Sequence, residues 1–337
     1  MIKLNRRKFI KSSFLFGAGG LFFSFQQCKG NADANNIGFQ KSGKSRVVIC
    51  RNNEVRNKAG RLDSYQVEKC LNEALRNWFE DSSLDNIWRK IIKSDDVVGI
   101  KVNCLAGKGL STSPELVDAI IEGVRRAGVR ENRIMVWDRL NDDLERAGYS
   151  INVRGRGVKY MGNDSAGYSN DILSHGRIGS LLSRVVTEYC SALINVPILK
   201  DHGIVGMSVA LKNYFGAIHN PNKYHSNVGD PYVADVNMLS HLRNKTRFTI
   251  CDVFTTQYEG GPPYMPQWSW KYNGLLVGKD MVAIDQIGWD IIEEKRKEKN
   301  LPSLKTVGRE PTYIATAADA DHQLGTNDLK RIELIKV

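Results

Sequence analysis

No run of 18 or more apolar residues occurs in the 337-residue chain, so no segment can cross a bilayer alone as a helix. No Cys-x-x-Cys pair occurs among its 6 cysteines, which removes zinc-ribbon and iron–sulfur cluster spacings. The Walker spacing is missing, and Gly107-Lys108-Gly109 resembles a phosphate loop only loosely. No Gly-x-Gly-x-x-Gly follows a strand-like run, so the dinucleotide fingerprint is absent too. No arginine- and lysine-rich stripe with interleaved aromatics is present, which argues against a nucleic-acid partner. No repeat of roughly 20–50 residues is visible, which sets aside solenoids and propellers. What remains is ordinary: 42% apolar and 25% charged residues, with a mean hydropathy of −0.35. Such a composition belongs to a globular chain of one large domain or two closely joined ones.

The amino terminus carries the clearest signal. A basic start, Lys3 to Lys11, meets an apolar run from Phe14 to Phe25, the layout of a signal peptide. The pair Arg6-Arg7, followed by Lys8, Phe9, Ile10 and Lys11, resembles a twin-arginine export signal, although a general secretory signal has a similar basic start. The reading is therefore a signal over residues 1–27, a flexible polar linker over 28–45 and a folded domain over 46–337. The twin-arginine export machinery is the implied partner, and an exported, periplasmic location follows. Cys28 directly follows the apolar run, but Phe25-Gln26-Gln27 is a poor lipobox. A lipidated Cys28, cleavage nearby and an uncleaved anchor all remain open, so membrane contact is expected only through the signal or a lipid. The formal charge is +11. Loss of residues 1–27 removes Lys3, Arg6, Arg7, Lys8 and Lys11 and no acid, leaving +6, which suits either an anionic ligand or a solvated coat. Cys50, Cys70, Cys104, Cys190 and Cys251 are an odd count, which argues against a full disulfide framework and leaves room for one bridge.

Apolar periodicity predicts strands over 46–50, 96–102, 133–138, 192–197, 249–254, 275–278 and 332–335. Helices are predicted over 65–80, 114–127, 205–215 and 281–299. Ser113 reads as an N-cap, with Pro114 at the first helical position and Gly128 as the stop; Asp280 reads as another N-cap. Residues 140–180 look irregular, and Lys200-Asp201-His202-Gly203 reads as a polar turn. The alternation of strand and helix predicts an α/β fold with a mostly parallel central sheet and flanking helices, built either as one unit or as two intertwined lobes. In such sheets active groups gather at the carboxyl ends of strands.

Polar residues stand where those strands end: Lys101 and Asn103, then Asp138, then Lys200, Asp201 and His202, with Asp252 inside a later strand. If the strands are neighbours, these tips share a cleft. Lys101 interrupts an apolar strand, and Lys212-Asn213 interrupts an apolar run. A buried ammonium needs a carboxylate or a bound anion, whereas a lysine at a strand end can instead keep its head in water. Lys101, Lys200, His202 and Lys212 are therefore the catalytic candidates, with Asn103, Asn213, Glu259, Asp252 and Asp285 as ligand-binding candidates. Glu259 sits in Tyr258-Glu259-Gly260-Gly261-Pro262-Pro263-Tyr264, a rigid turn suited to a cleft rim. His202, His219 and His225 could hold a divalent metal with Asp201, Asp230 or Asp252, but their spacing matches no established signature, and hydrogen-bonded structural histidines fit as well.

Several segments together resemble the domain of unknown function 362 (DUF362) family. They are Gly99-Ile100-Lys101-Val102-Asn103 with Ser113-Pro114-Glu115-Leu116-Val117, then Asn195 to His202 with Ala210-Leu211-Lys212-Asn213-Tyr214-Phe215-Gly216. Gly278-Lys279-Asp280-Met281-Val282-Ala283-Ile284-Asp285 and Leu324-Gly325-Thr326-Asn327-Asp328 complete the set. The resemblance is collinear over about residues 46–337. It implies an α/β fold and points to the same lysines and His202, but it brings no substrate. The chain lacks the four-cysteine ferredoxin segment of some relatives and has Asp201 where a small polar residue, often Thr, precedes the histidine. Three functions stay in view: an exported enzyme with a Lys/His-lined cleft for a small anionic substrate or cofactor, a metal- or anion-delivery protein without turnover, and a structural lipoprotein.

Overall fold

The computed structural model describes residues 43–337, so the signal over 1–27, Cys28 and nearly all of the linker lie outside the described residues. The strands are β1 (Ser45–Arg51), β2 (Val98–Lys101), β3 (Ile134–Asp138), β4 (Lys159–Gly162), β5 (Leu173–His175), β6 (Ile178–Ser180), β7 (Ala192–Asn195), β8 (Ile198–His202), β9 (Gly206–Ser208), β10 (Thr246–Gln257), β11 (Ser269–Trp270), β12 (Gly274–Gly278) and β13 (Ile332–Lys336). The helices are α1 (Ser64–Phe79), α2 (Leu84–Ile91), α3 (Pro114–Arg126), α4 (Asn141–Ala147), α5 (Asn163–Ala166), α6 (Ala210–Asn213), α7 (Tyr232–Met238), α8 (Ser240–Lys245), α9 (Met281–Glu298) and α10 (Tyr313–Ala318).

Eleven strands make one sheet in the order β13-β1-β12-β10-β7-β2-β3-β4, with β8 and β11 also on β10 and β9 on β8. The run β10-β7-β2-β3-β4 is parallel throughout, and β12 enters antiparallel between β1 and β10. The fold is the mostly parallel α/β sheet that the alternation of elements predicts.

Period-2 patterning sends side chains to two cores. Val48 and Cys50 of β1, Ile100 of β2, Ile250 of β10 and Val277 of β12 pack with α1, α2 and α3 on one face. Val47, Ile49, Cys251 and Leu276 pack with α6, α7, α9 and α10 on the other. Neighbouring residues thus serve opposite layers, which is the three-layer solution for a sheet with two apolar faces. Helix α1 buries Val67, Cys70, Leu71, Ala74, Leu75 and Trp78, all at helical spacing, while Asp63 caps its start by accepting from Gln66 N. Gly123 of α3 lies flat under Trp88 of α2, and a methyl group there would overlap the indole. The five described cysteines are all buried and unbridged; Cys50 Sγ and Cys70 Sγ meet 2.8 Å apart between β1 and α1.

Four local expectations are corrected. Ser113 precedes α3, but its hydroxyl donates to Asp252 Oδ2 at 2.6 Å and does not cap the helix. The turn expected over 200–203 begins only at Gly203: Lys200, Asp201 and His202 belong to β8, paired to β10 on one side and to β9 in a hairpin on the other. The helix expected over 205–215 divides into β9, the single turn α6 and a 3-10 turn over Tyr214–Ala217. Finally, the stretch 140–180 contains α4, β4, α5 and the whole β5–β6 hairpin. Asp280 does cap α9, accepting from Ala283 N at 3.0 Å. Among the described residues no helix is long and apolar enough to cross a membrane.

Candidate functional site

Parallel pairing brings strand tips together. Lys101 ends β2 and Asp138 ends the neighbouring β3, and the Lys101 Nζ–Asp138 Oδ1 ion pair spans 2.7 Å with Lys101 only 1% exposed. The ammonium also donates to Val102 O at 2.6 Å and to Asn213 Oδ1 at 3.3 Å, so this buried cation is fully satisfied. Asp138 uses its other oxygen to accept from Cys104 N at 2.6 Å. Asn213 joins the tips: its amide donates to Asn195 Oδ1 of β7 at 2.8 Å and to Lys101 O at 3.3 Å, and Asn103 Nδ2 donates to it at 3.2 Å. Asn103 Oδ1 is buried without a donor among the described residues.

The β8–β9 hairpin supplies the opposite wall. Alternation along β8 turns Lys200 and His202 toward the cavity and Asp201 away from it. Asp201 pairs with Arg309 at 2.8 Å and accepts from Gly261 N at 2.9 Å. Lys200 is 1% exposed and has one distant acceptor, Pro262 O at 3.4 Å. Burial pulls its ammonium down to about 8, partly opposed by Asp138. Lys212, on α6, lies over the Phe215 ring, 3.8 Å from its centroid, and 3.1 Å from His225 Nε2. Burial holds its ammonium well below the usual lysine range, and the Lys200 charge adds to this. Among the described residues neither Lys200 nor Lys212 forms an ion pair with a carboxylate.

Hydrogen bonds set the histidine tautomers. His202 Nδ1 accepts from Ile204 N at 3.3 Å and Val205 N at 3.4 Å, which leaves the proton on Nε2. His225 Nδ1 lies 2.9 Å from Pro221 O, which can only accept, so that nitrogen carries the proton and Nε2 presents a lone pair to Lys212. The rings stack with centroids 5.3 Å apart. Burial, reinforced by Lys212, lowers His225 to about 4 and drives His202 further down, so both are neutral at pH 7.

These groups line one cavity of about 290 Å³ with Asn103, Asp138, Ser208, Asn213, Phe215 and Pro262. Leu105 and Ile204 stand at its wall with 40% and 55% of their surface exposed. The volume suits a small organic molecule of a few heavy atoms and falls at the lower end for ligand pockets.

Of the residues singled out from the sequence, Lys101, Asn103, Lys200, His202, Lys212, Asn213 and His225 come together here. The others stand elsewhere. Asp252 accepts from Ser113 N at 2.8 Å and from Ser113 Oγ, tying β10 to the start of α3. Asp285 accepts from Ala210 N at 2.7 Å and Leu211 N at 3.3 Å, so it holds the turn that presents Lys212 and Asn213. Glu259 pairs with Arg296 and with Arg309, the latter at 2.8 Å. His219 sets its ring edge-on to Tyr168, centroids 4.9 Å apart. His202 and His225 thus meet without His219, and among the described residues no group of three or more His, Cys, Asp or Glu is placed to hold a metal ion. Sequence reasoning missed Asn195, Ser208 and Phe215. Asn195 could have been found, since it is the polar tip of β7.

Fold and site together define an α/β protein whose cavity opens at the carboxyl ends of β2 and β3, walled by lysines and neutral histidines. A family model described as a domain of unknown function (DUF362) matches residues 98–290, and the chain belongs to that family. The match runs from β2 into α9 and contains every residue that lines the cavity. No curated protein matches the chain.

Proposed function

We propose that the cavity binds a small anionic substrate or cofactor and that the protein is an exported enzyme acting on it. One observation carries this reading: two buried lysines, Lys200 and Lys212, line the same cavity, and among the described residues neither is ion-paired, because the cavity's own acids, Asp138 and Asp143, are paired to Lys101 and to Arg139 and Arg146. An uncompensated buried cation is expensive, and a bound anion is the natural counter-charge. Lys101 does not share this state, because Asp138 already neutralises it. In this reading Lys200 grips the anion, the Nε2–H of His202 serves as a neutral donor, and Asn103 Oδ1 is free to accept from a ligand hydroxyl or amine.

Calorimetric titration of the chain lacking residues 1–27 with phosphate, sulfate, lactate and pyruvate tests the anion reading. One-to-one binding of at least one of them is expected. Lys200→Met should weaken it at least tenfold, a change of about 1.4 kcal/mol. Binding of none, or binding indifferent to Lys200→Met, would overturn the reading.

Export rests on Arg6-Arg7 and the apolar run behind them. Changing both arginines to lysine is expected to leave the protein in the cytoplasmic fraction, whereas the unaltered chain reaches the periplasmic or membrane fraction. Equal export of both forms would point to the general secretory route. Membrane contact, in this reading, comes only through the signal or a lipidated Cys28.

A further inference from the structure

Lys212, His225 and Pro221 form a relay. The Pro221 carbonyl fixes the proton on His225 Nδ1, and this aims the Nε2 lone pair at Lys212 Nζ, 3.1 Å away. A nucleophile, a base within hydrogen-bond reach and a third group that orients the base are the arrangement by which proteins activate a weak nucleophile. The surroundings act in the same direction. Lys212 faces the Phe215 ring, no acid among the described residues pairs with it, and the Lys200 ammonium shares its cavity. A lysine desolvated beside a second cation is the setting in which an amine, not an ammonium, waits for a substrate. The three lysines are thereby divided by role: Lys101 is spent on Asp138, Lys200 retains charge, and Lys212 keeps its lone pair.

We propose that Lys212 is a covalent nucleophile that forms an imine with a carbonyl compound bearing an anionic group, such as a 2-oxo acid, whose anion sits on Lys200. The inference rests on the anion reading of the same cavity and gives it a substrate class. In the first step the Lys212 Nζ lone pair forms a bond to the carbonyl carbon, and the carbon–oxygen π pair moves to oxygen. His225 Nε2 takes the proton that the nitrogen sheds and hands it to the alkoxide oxygen, giving a neutral carbinolamine and a neutral His225. The carbinolamine nitrogen then gives up its remaining proton, which His225 carries to the leaving hydroxyl; the carbon–oxygen bond breaks, and water leaves as the nitrogen lone pair closes the C=N bond. The sum is amine plus carbonyl to imine plus water, with no oxidant or reductant. At about 290 Å³ the cavity admits a three- or four-carbon oxo acid and little more.

Reductive trapping tests this directly and needs no known turnover. The full folded chain is incubated with pyruvate or glyoxylate and sodium cyanoborohydride, digested, and mapped by peptide mass spectrometry. The expected result is one adduct per chain at Lys212, formed at least tenfold faster than at any exposed lysine. Lactate and glycolate, which keep the carboxylate and lack the carbonyl, should slow it by competition. Lys212→Met should abolish this adduct. His225→Ala, which keeps the lysine, should slow it at least tenfold, and this second variant keeps the test valid if the first folds poorly. If lactate binds by calorimetry while Lys212 stays unmodified, the imine is wrong and the anion reading stands. If neither the oxo acids nor their reduced counterparts bind, the imine falls, and the anion reading falls with it if phosphate and sulfate also fail to bind. Adducts spread over exposed lysines with none at Lys212 would also overturn the imine.

Discussion

Asp138→Ala is expected to destabilise the protein by about 3–5 kcal/mol, the loss typical when one partner of a buried ion pair is removed. The reason lies in what stays behind. Lys101 is 1% exposed, sits at the end of a central strand and cannot swing its ammonium to water without leaving β2. Asp138→Ala also strands the amide of Cys104, which now donates to the lost carboxylate. The double variant Lys101→Met, Asp138→Ala should recover most of the loss, because no charge is then buried unpaired. Urea unfolding measures both, with a shifted midpoint and an unchanged slope. A single-variant loss under about 1 kcal/mol would mean that the Lys101 charge is balanced by something other than Asp138.

Lys200→Met should do the reverse: gain stability while losing the ligand. The Lys200 ammonium falls from 10.5 in the unfolded chain to about 8 in the folded one. At about 1.4 kcal/mol per unit, folding bears a penalty on the order of 3 kcal/mol wherever both states hold the proton, which includes pH 7. The sign follows from proton counting. Between about pH 8 and 10.5 the unfolded chain binds more protons than the native one at this site. The Lys200 contribution to stability therefore rises with pH across that window and is flat on either side. Lys200→Met removes this rise and should be more stable at pH 7 by up to about 3 kcal/mol. Unfolding curves at pH 7, 9 and 10.5 decide the matter. A stability difference between the two forms that stays constant from pH 7 to 10.5, or a variant that is less stable at pH 7, would contradict a Lys200 whose charge is penalised by burial. A site that destabilises its own fold until it is filled is a common cost of function.

The fold was largely legible because its strands are short apolar runs between capped helices. Val47 to Cys50 and Ile134 to Asp138 feed both cores, and Val98 and Ile100 feed one, so composition and period agree. The reading failed where strand residues serve neither core. In β8, Lys200 and His202 look into the cavity and Asp201 looks toward Arg309, so alternation is present but both faces are charged and the segment reads as a turn. Residues 205–215 are largely apolar apart from Ser208, Lys212 and Asn213, and apolar runs of that length do not distinguish helix from strand. The cavity lysines were visible as charges where a core residue is expected. The partners of Glu259 and Asp285 were not, because Arg309 and the amide of Ala210 lie far away in sequence. An isolated buried acid announces that it needs a donor without saying which, and only the fold shows that both are used up in holding loops and the α6 turn.

The placing of β1 bears on how the molecule assembles. It precedes every other strand in the described chain, yet both its neighbours, β12 and β13, come from near the far end. Its pairing therefore has high contact order, and chains of this kind close slowly because loop entropy is spent before any contact is made. β13 is also the outer strand and carries Glu333 and Lys336, charges of the kind that keep a sheet edge from recruiting other strands. Until it docks, the apolar run Val47-Val48-Ile49-Cys50 offers an open edge. The last strand thus acts as a seal, and the interval before it arrives is when the protein is most open to pairing with itself.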